Sequence, residues 1–207
     1  MAQLSPEQGH VFWLSCFSGD DKRRLYCRQE LKDCLHNDSL NRYMTFFSDG
    51  NNKDFINKCI YTDIKTVLPD DYLTKVDRVS MANSLEVRVP LLDHKLVEFA
   101  LGIPSKYKLN GFIAKYLLKK IMRDKLPDEI LNGRKKGFSI PLSRWFTEDF
   151  SKLIDKYLSK DVIRKRGYFN YDFIDGLSKE HILRKKDNSK LLWTLICFEI
   201  WNKRFIG

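Results

Sequence analysis

The sequence predicts a mainly α-helical protein, and three observations carry that expectation. Apolar residues recur at intervals of three and four, as in Phe150, Leu153, Ile154, Tyr157 and Leu158, a spacing that puts them on one face of a helix. Helix-opening signals precede several such stretches, among them Ser5-Pro6-Glu7-Gln8 and the Asp93 that introduces HKLVEFAL. No segment alternates apolar and polar residues as a half-buried strand does, and EVRVPLL at 86–92 is the one short extended candidate.

Taken in order, Ser5 supplies a cap, Pro6 a first-turn residue and Gln8 the return partner of a capping box, which opens a helix carrying Val11, Phe12 and Leu14. FSDGNNKD, from Phe47 to Asp54, clusters turn formers and is expected to be a linker. Phe55 to Val67 is expected to be helical, and LPDDYL restarts a helix with Pro69 and two carboxylates at its positive end. Asp93 caps a helix in which Leu96 and Ala100, and Val97 and Leu101, stack at i, i+4 before Gly102 closes it. LNGF at 109–112 is expected to be a turn feeding a helix from Ile113 to Arg123, and Thr147 to cap the next one. The last element, about Asn188 to Phe205, is apolar on nearly every side, the pattern of a helix at the centre of a bundle.

With 43% hydrophobic and 13% aromatic residues in 207, the chain can fill one sizeable core or two small ones. Gly and Pro are sparse and no period repeats, so neither a disordered chain nor a solenoid is expected. Lys and Arg exceed Asp and Glu, 37 to 27, and the net charge of +10 invites a polyanion such as nucleic acid or the phosphates of a nucleotide. Five cysteines without zinc spacing point to reduced thiols and a cytoplasmic protein, and four scattered histidines make a metal site unexpected. The longest apolar run, Leu191 to Trp201, is too short to span a bilayer and contains Glu199.

Two stretches bring ionic groups into apolar context. The first holds Asp70, Asp71, Asp77, Arg78, Glu86 and Arg88 among residues with packed-helix spacing. Asp71 and Arg78 lie two turns apart on one face, with Lys75 between them. Such charges are either helix-stabilising ion pairs or groups held out of water to orient a polar substrate. The second is NGRKKGFSIP, 132–141, in which consecutive cations stand beside Gly137 and Phe138. It reads as a basic surface loop, or as a loop anchored by its aromatic residue so that a lysine meets a phosphoryl or carboxylate group. Arg164–Arg166 and Arg184–Lys186 are expected to be solvated groups near helix C-termini.

LPDDYLTKVDRVSMANSLEVRVPLLDHKLVEFAL, AKYLLKKIM, LPDEIL, RKKGFSIPLSRWF and the closing LLWTLICFEIWNKRF follow one another in an order and spacing that resemble the C-terminal part of the synthetase domain of glutamine-hydrolysing asparagine synthetases of class B. The likeness is strong from about Leu68 to Phe146, continues to the end, and is faint before Tyr61. It implies a helical bundle forming the C-terminal half of an adenine-nucleotide alpha-hydrolase-like domain whose nucleotide-binding sheet is absent here. It also implies one partial synthetase domain over 1–207, with a divergent segment 1–60, a motif-bearing core 61–146 and C-terminal helices 147–207.

The resemblance implies ATP-dependent activation of the aspartate side-chain carboxylate, then amide transfer from glutamine-derived ammonia. Lys135 matches the family's catalytic lysine, although Gly133 and Arg134 stand where relatives often have Arg and Pro. Asp71 is expected to shape the aspartate pocket, and Asp77, Arg78, Glu86, Arg88 and Lys115 to line it or hold its helices. The Ser-Gly-Gly-x-Asp-Ser loop for ATP pyrophosphate, the acidic residues for Mg2+ and the N-terminal cysteine nucleophile have no counterpart in this sequence. The expectation is therefore a truncated or split gene product, inactive alone, whose partners are the missing glutaminase and ATP-binding regions. Two alternatives stay open: a domain of the same fold acting on another carboxylate, and a basic helical module that binds a polyanion.

Overall fold

The computed structural model describes residues 4–37, 39–49, 54–134, 140–148 and 151–207. The helices are α1 (Pro6–Leu14), α2 (Gly19–Leu25), α3 (Gln29–Asp33), α4 (Ser39–Asp49), α5 (Phe55–Lys65), α6 (Thr74–Ala82), α7 (His94–Gly102) and α8 (Ser105–Lys108). They continue with α9 (Tyr116–Ile121), α10 (Asp128–Asn132), α11 (Leu142–Thr147), α12 (Ser151–Leu158), α13 (Lys160–Arg166), α14 (Tyr171–Ile182) and α15 (Ser189–Phe205). Among the described residues the only sheet is the antiparallel pair β1 (Leu109–Asn110) and β2 (Ile113–Ala114). The mainly α class expected from the sequence is the class observed.

The chain divides into two compact units, Met1–His10 with Asn41–Gly137, and Val11–Leu40 with Phe138–Gly207. The second has a conventional apolar core. Phe173, Ile174, Leu177 and His181 are buried on one face of α14, and Leu192, Leu195, Ile196, Glu199 and Asn202 on one face of α15. Ile154 and Leu158 of α12 and Phe146 of α11 close the cluster. Backbone bonds tie its early segment in: Cys27 N–H donates to Tyr168 O at 2.9 Å and Asn170 N–H to Leu25 O at 2.7 Å.

Only one face of α15 is buried, however. Ile200, Trp201 and Phe205 stay 41%, 49% and 66% exposed, so this helix is a wall of the bundle and not its surrounded centre. An all-round apolar sequence does not say how many neighbours exist to cover it. A second correction concerns the basic runs. Arg166 is largely buried, its Nε 3.5 Å from a carboxylate oxygen of Glu199, which is itself 2% exposed. Burial pushes the Glu199 carboxyl up from the ordinary value, and Arg166 only partly opposes this.

The first unit is built differently. Among its described residues the buried large hydrophobics are Phe47 and Leu131, accompanied by buried Asn57, Thr62 and Thr66. Its helices are instead specified by local chemistry. Ser5 and Gln8 form the expected box, with Gln8 N–H on Ser5 Oγ at 3.2 Å and Ser5 N–H on Gln8 Oε1 at 2.9 Å. Asp54 caps α5 through Ile56 N–H, and Asp93 caps α7 through the N–H groups of Lys95 and Leu96.

Several boundaries differ from the expected ones. Phe47, Ser48 and Asp49 end α4 and are not linker, while 50–53 lie outside the described residues. Leu68–Leu73 is a π-helical turn running into α6, as Pro69 withholds a backbone donor. EVRVPLL forms no strand and closes in a 3-10 turn, Pro90–Leu92. The LNGF turn instead makes a hairpin, because Gly111 takes φ +57 and pairs Leu109 with Ala114 and Asn110 with Ile113. Thr147 ends α11, its hydroxyl donating back to Arg144 O at 2.8 Å, and so does not open α12.

Candidate active site

The π-helical turn, α6 and the segment after it carry most of the expected site residues. Asp71 sits in the turn with Oδ1 3.6 Å from Lys75 Nζ one turn later, and both side chains are exposed. Asp77 and Arg78 lie side by side on α6, also exposed. Glu86 and Arg88 pair directly, Arg88 Nε donating to Glu86 Oε1 at 2.6 Å, with side chains 72% and 85% exposed. The charges are therefore joined as two local pairs, Asp71–Lys75 and Glu86–Arg88. Of the two readings open for these charges, exposed local ion pairs are what the described residues show, not groups held out of water: α6 has no buried residue among them, and its Val79 and Met81 are each 61% exposed.

Lys115 stands where β2 turns into α9, exposed, with φ +57 and ψ 34. That left-handed conformation costs a residue with a Cβ about 1–2 kcal/mol. Lys135, the expected catalytic lysine, lies outside the described residues, as do Lys136, Gly137 and Phe138.

The first unit also holds a cavity of about 550 Å3. Its walls include Leu96, Phe99 and Ala100 of α7 with Leu118 and Ile121 of α9, and its lining contains Lys108 and Lys115 but no carboxylate. Lys108 Nζ donates to Asn57 Oδ1 and Leu101 O, which links α5 to the end of α7. Burial pushes this ammonium down from its ordinary value, against the attraction of Asp54. Sequence reading missed the cavity and Lys108. Its walls come from elements whose apolar periodicity reads equally well as core, and Lys108 meets Asn57 across 51 positions of sequence.

Among the described residues no group of three His, Cys, Asp or Glu side chains is placed to hold a metal ion. The described acids of the candidate site are spread along one exposed segment, and the two that are paired, Asp71 and Glu86, each face a cation, so they do not fit a Mg2+ cage. No helix among them is long and apolar enough to cross a membrane.

The asparagine synthase family model matches residues 11–203. The glutamine-hydrolysing asparagine synthetase 1 of Bacillus subtilis (strain 168) is 34% identical over 158 residues, 76% of this chain and 25% of that protein. The glutamine-hydrolysing asparagine synthetase of Gallus gallus is 34% identical over 113 residues, covering 51% of this chain and 20% of that protein. The amidase chyE of Penicillium rubens is 28% identical over 137 residues, 62% of this chain and 20% of its own length. The chain thus spans about a quarter or less of the length of these relatives. No solved structure matches. The motifs between Leu68 and Phe146, their helical setting and a family match that runs nearly the length of the chain lead to one conclusion: this chain belongs to the asparagine synthase family.

Proposed function

We propose that this chain is the helical C-terminal part of an ATP-dependent asparagine synthetase, and that it works only when a nucleotide-binding part faces it. The reaction joins aspartate, ATP and glutamine-derived ammonia to give asparagine, AMP and pyrophosphate. The observation that carries the reading is the exposed run of family motifs on a unit whose described residues include few buried hydrophobics. Side chains that complete a site across an interface are exposed until the other wall arrives.

The geometry suits the roles proposed for these residues. The Asp71–Lys75 pair is solvent-exposed at 3.6 Å, a contact worth a few tenths of a kcal/mol, so the Asp71 carboxylate is free to exchange Lys75 for a substrate ammonium. Arg88 uses only Nε towards Glu86, which leaves the terminal guanidinium N–H groups for a substrate carboxylate. Lys135 is proposed to neutralise charge as the side-chain carboxylate is activated, because a fixed ammonium stabilises developing negative charge most in a site closed to water. Asp77, Arg78, Glu86 and Lys115 are proposed to line the same pocket or to hold its helices. ATP and any Mg2+ are bound mainly by residues outside this chain.

The test is pyrophosphate exchange into ATP with aspartate present. This chain alone is expected to show none, and the chain combined with an ATP-binding polypeptide of the family to show exchange that Lys135→Ala abolishes. Robust exchange by the chain alone overturns the need for a facing part. A second reading, the same fold acting on another carboxylate, is favoured by the match to a protein named an amidase. Exchange stimulated by other carboxylates and not by aspartate would select it.

A further inference from the structure

More than half of the exposed large hydrophobic residues of the described chain fall between Tyr72 and Ile130, a stretch of under a third of its length. Exposed apolar residues concentrated in this way mark an interface. Its concave centre is the cavity between α7 and α9, where Leu96, Phe99, Leu118 and Ile121 are each at least 41% exposed.

Charge decides what can enter. Among the described residues, two lysines and no carboxylate line the cavity. Lys108 spends two of its three N–H donors on Asn57 and Leu101 and has its charged form disfavoured by burial, so it gains from a carboxylate at the third. A second copy of this chain would set Lys108 and Lys115 against the same lysines, in molecules that each carry +10, and like charges across an interface are repulsive. The occupant must be apolar along one side and acidic where it meets the lysines.

We propose that this groove is the docking site for an acidic amphipathic helix of the polypeptide that supplies the nucleotide-binding part, its apolar ridge between α7 and α9 and a carboxylate on Lys108 or Lys115. The identity of the partner rests on the function proposed above; the chemistry of the groove does not. Docking covers Leu96, Phe99, Leu118 and Ile121, and gives the first unit the apolar core that its described residues do not provide.

The probe is the part of the Bacillus subtilis relative outside the segment matched here, made as a separate polypeptide and titrated by calorimetry against the full chain. Expected are saturable binding, amide-exchange protection across 94–121, and a loss of about tenfold or more in affinity for both Phe99→Asp and Lys115→Glu, since an unpaired carboxylate in the groove and a like-charge contact each cost at least that much. Phe99 is 68% exposed, so its replacement leaves the fold intact, which circular dichroism checks. No binding, undiminished binding by both variants, self-association lost in Phe99→Asp, or tight decanoate binding without polypeptide binding each overturns the proposal. Pyrophosphate exchange in the same mixtures separates the two ideas: docking without exchange sinks the catalytic reading and leaves the docking site standing.

Discussion

Replacing Lys115 by glycine and, separately, by alanine asks whether a strained backbone is kept for the sake of a side chain. Lys115 takes φ +57 at the start of α9, makes no side-chain cap hydrogen bond, and is exposed. Alanine keeps the Cβ and therefore the left-handed cost of about 1–2 kcal/mol. Glycine removes it but loses about 0.5–1 kcal/mol more backbone entropy on folding. The glycine variant should thus exceed the alanine variant by roughly 0.5–1 kcal/mol, a rise in Tm of about 1–4 °C for a chain of this size. Urea titration and a thermal scan, both followed at 222 nm, measure it. A glycine variant no more stable than alanine would refute the strain argument. In the exchange reaction with a completing polypeptide, both variants should lose activity together while Lys115→Arg keeps part of it. Full activity in Lys115→Gly would remove Lys115 from the pocket and make its conformation a folding detail.

Three further outcomes follow from the same structure. Asp93→Ala unties two N–H groups at the start of α7 and should cost about 1 kcal/mol, seen as faster amide exchange at Lys95 and Leu96. Leu192→Ala in the fully buried face of α15 should cost about 2–5 kcal/mol by urea unfolding, with the loss confined to probes in the second unit. Glu199 has a folded-state carboxyl raised above its ordinary 4.5 by burial; its contribution is therefore most favourable below that value and is lost as pH rises through the raised one. Relative to the natural chain, Glu199→Met should accordingly gain stability as pH rises above 4.5, and a difference that is flat or falls over that rise would contradict the burial argument.

How much was legible in the sequence varied with the range of the interaction. Asp93, Ser5 with Gln8, and the 3.6-residue rhythm of α12 were read correctly, because caps and periodicity act over one or two turns. Asn110-Gly111 was read as a turn, but whether it leads to a helix or closes a hairpin depends on Ala114 pairing back with Leu109 and on Lys115 accepting a positive φ, neither of which a local propensity contains. The candidate charges were found from their apolar setting and from the motif order. Their exposure was not found, since the apolar spacing around Asp77 and Arg78 says that α6 has a face to bury and not whether its cover is present.

The sequence by itself therefore determined the helical class, the caps at Ser5 and Asp93, the family and the residues to suspect, all of which are written in neighbouring positions or in an ordered series of motifs. Only the tertiary structure decided that α15 is a wall with one open face, that Arg166 reaches the buried Glu199, and that Lys108 bridges to Asn57 beside an apolar groove. Those facts depend on which distant segments meet, and burial is a property of the pair of surfaces in contact and not of either alone.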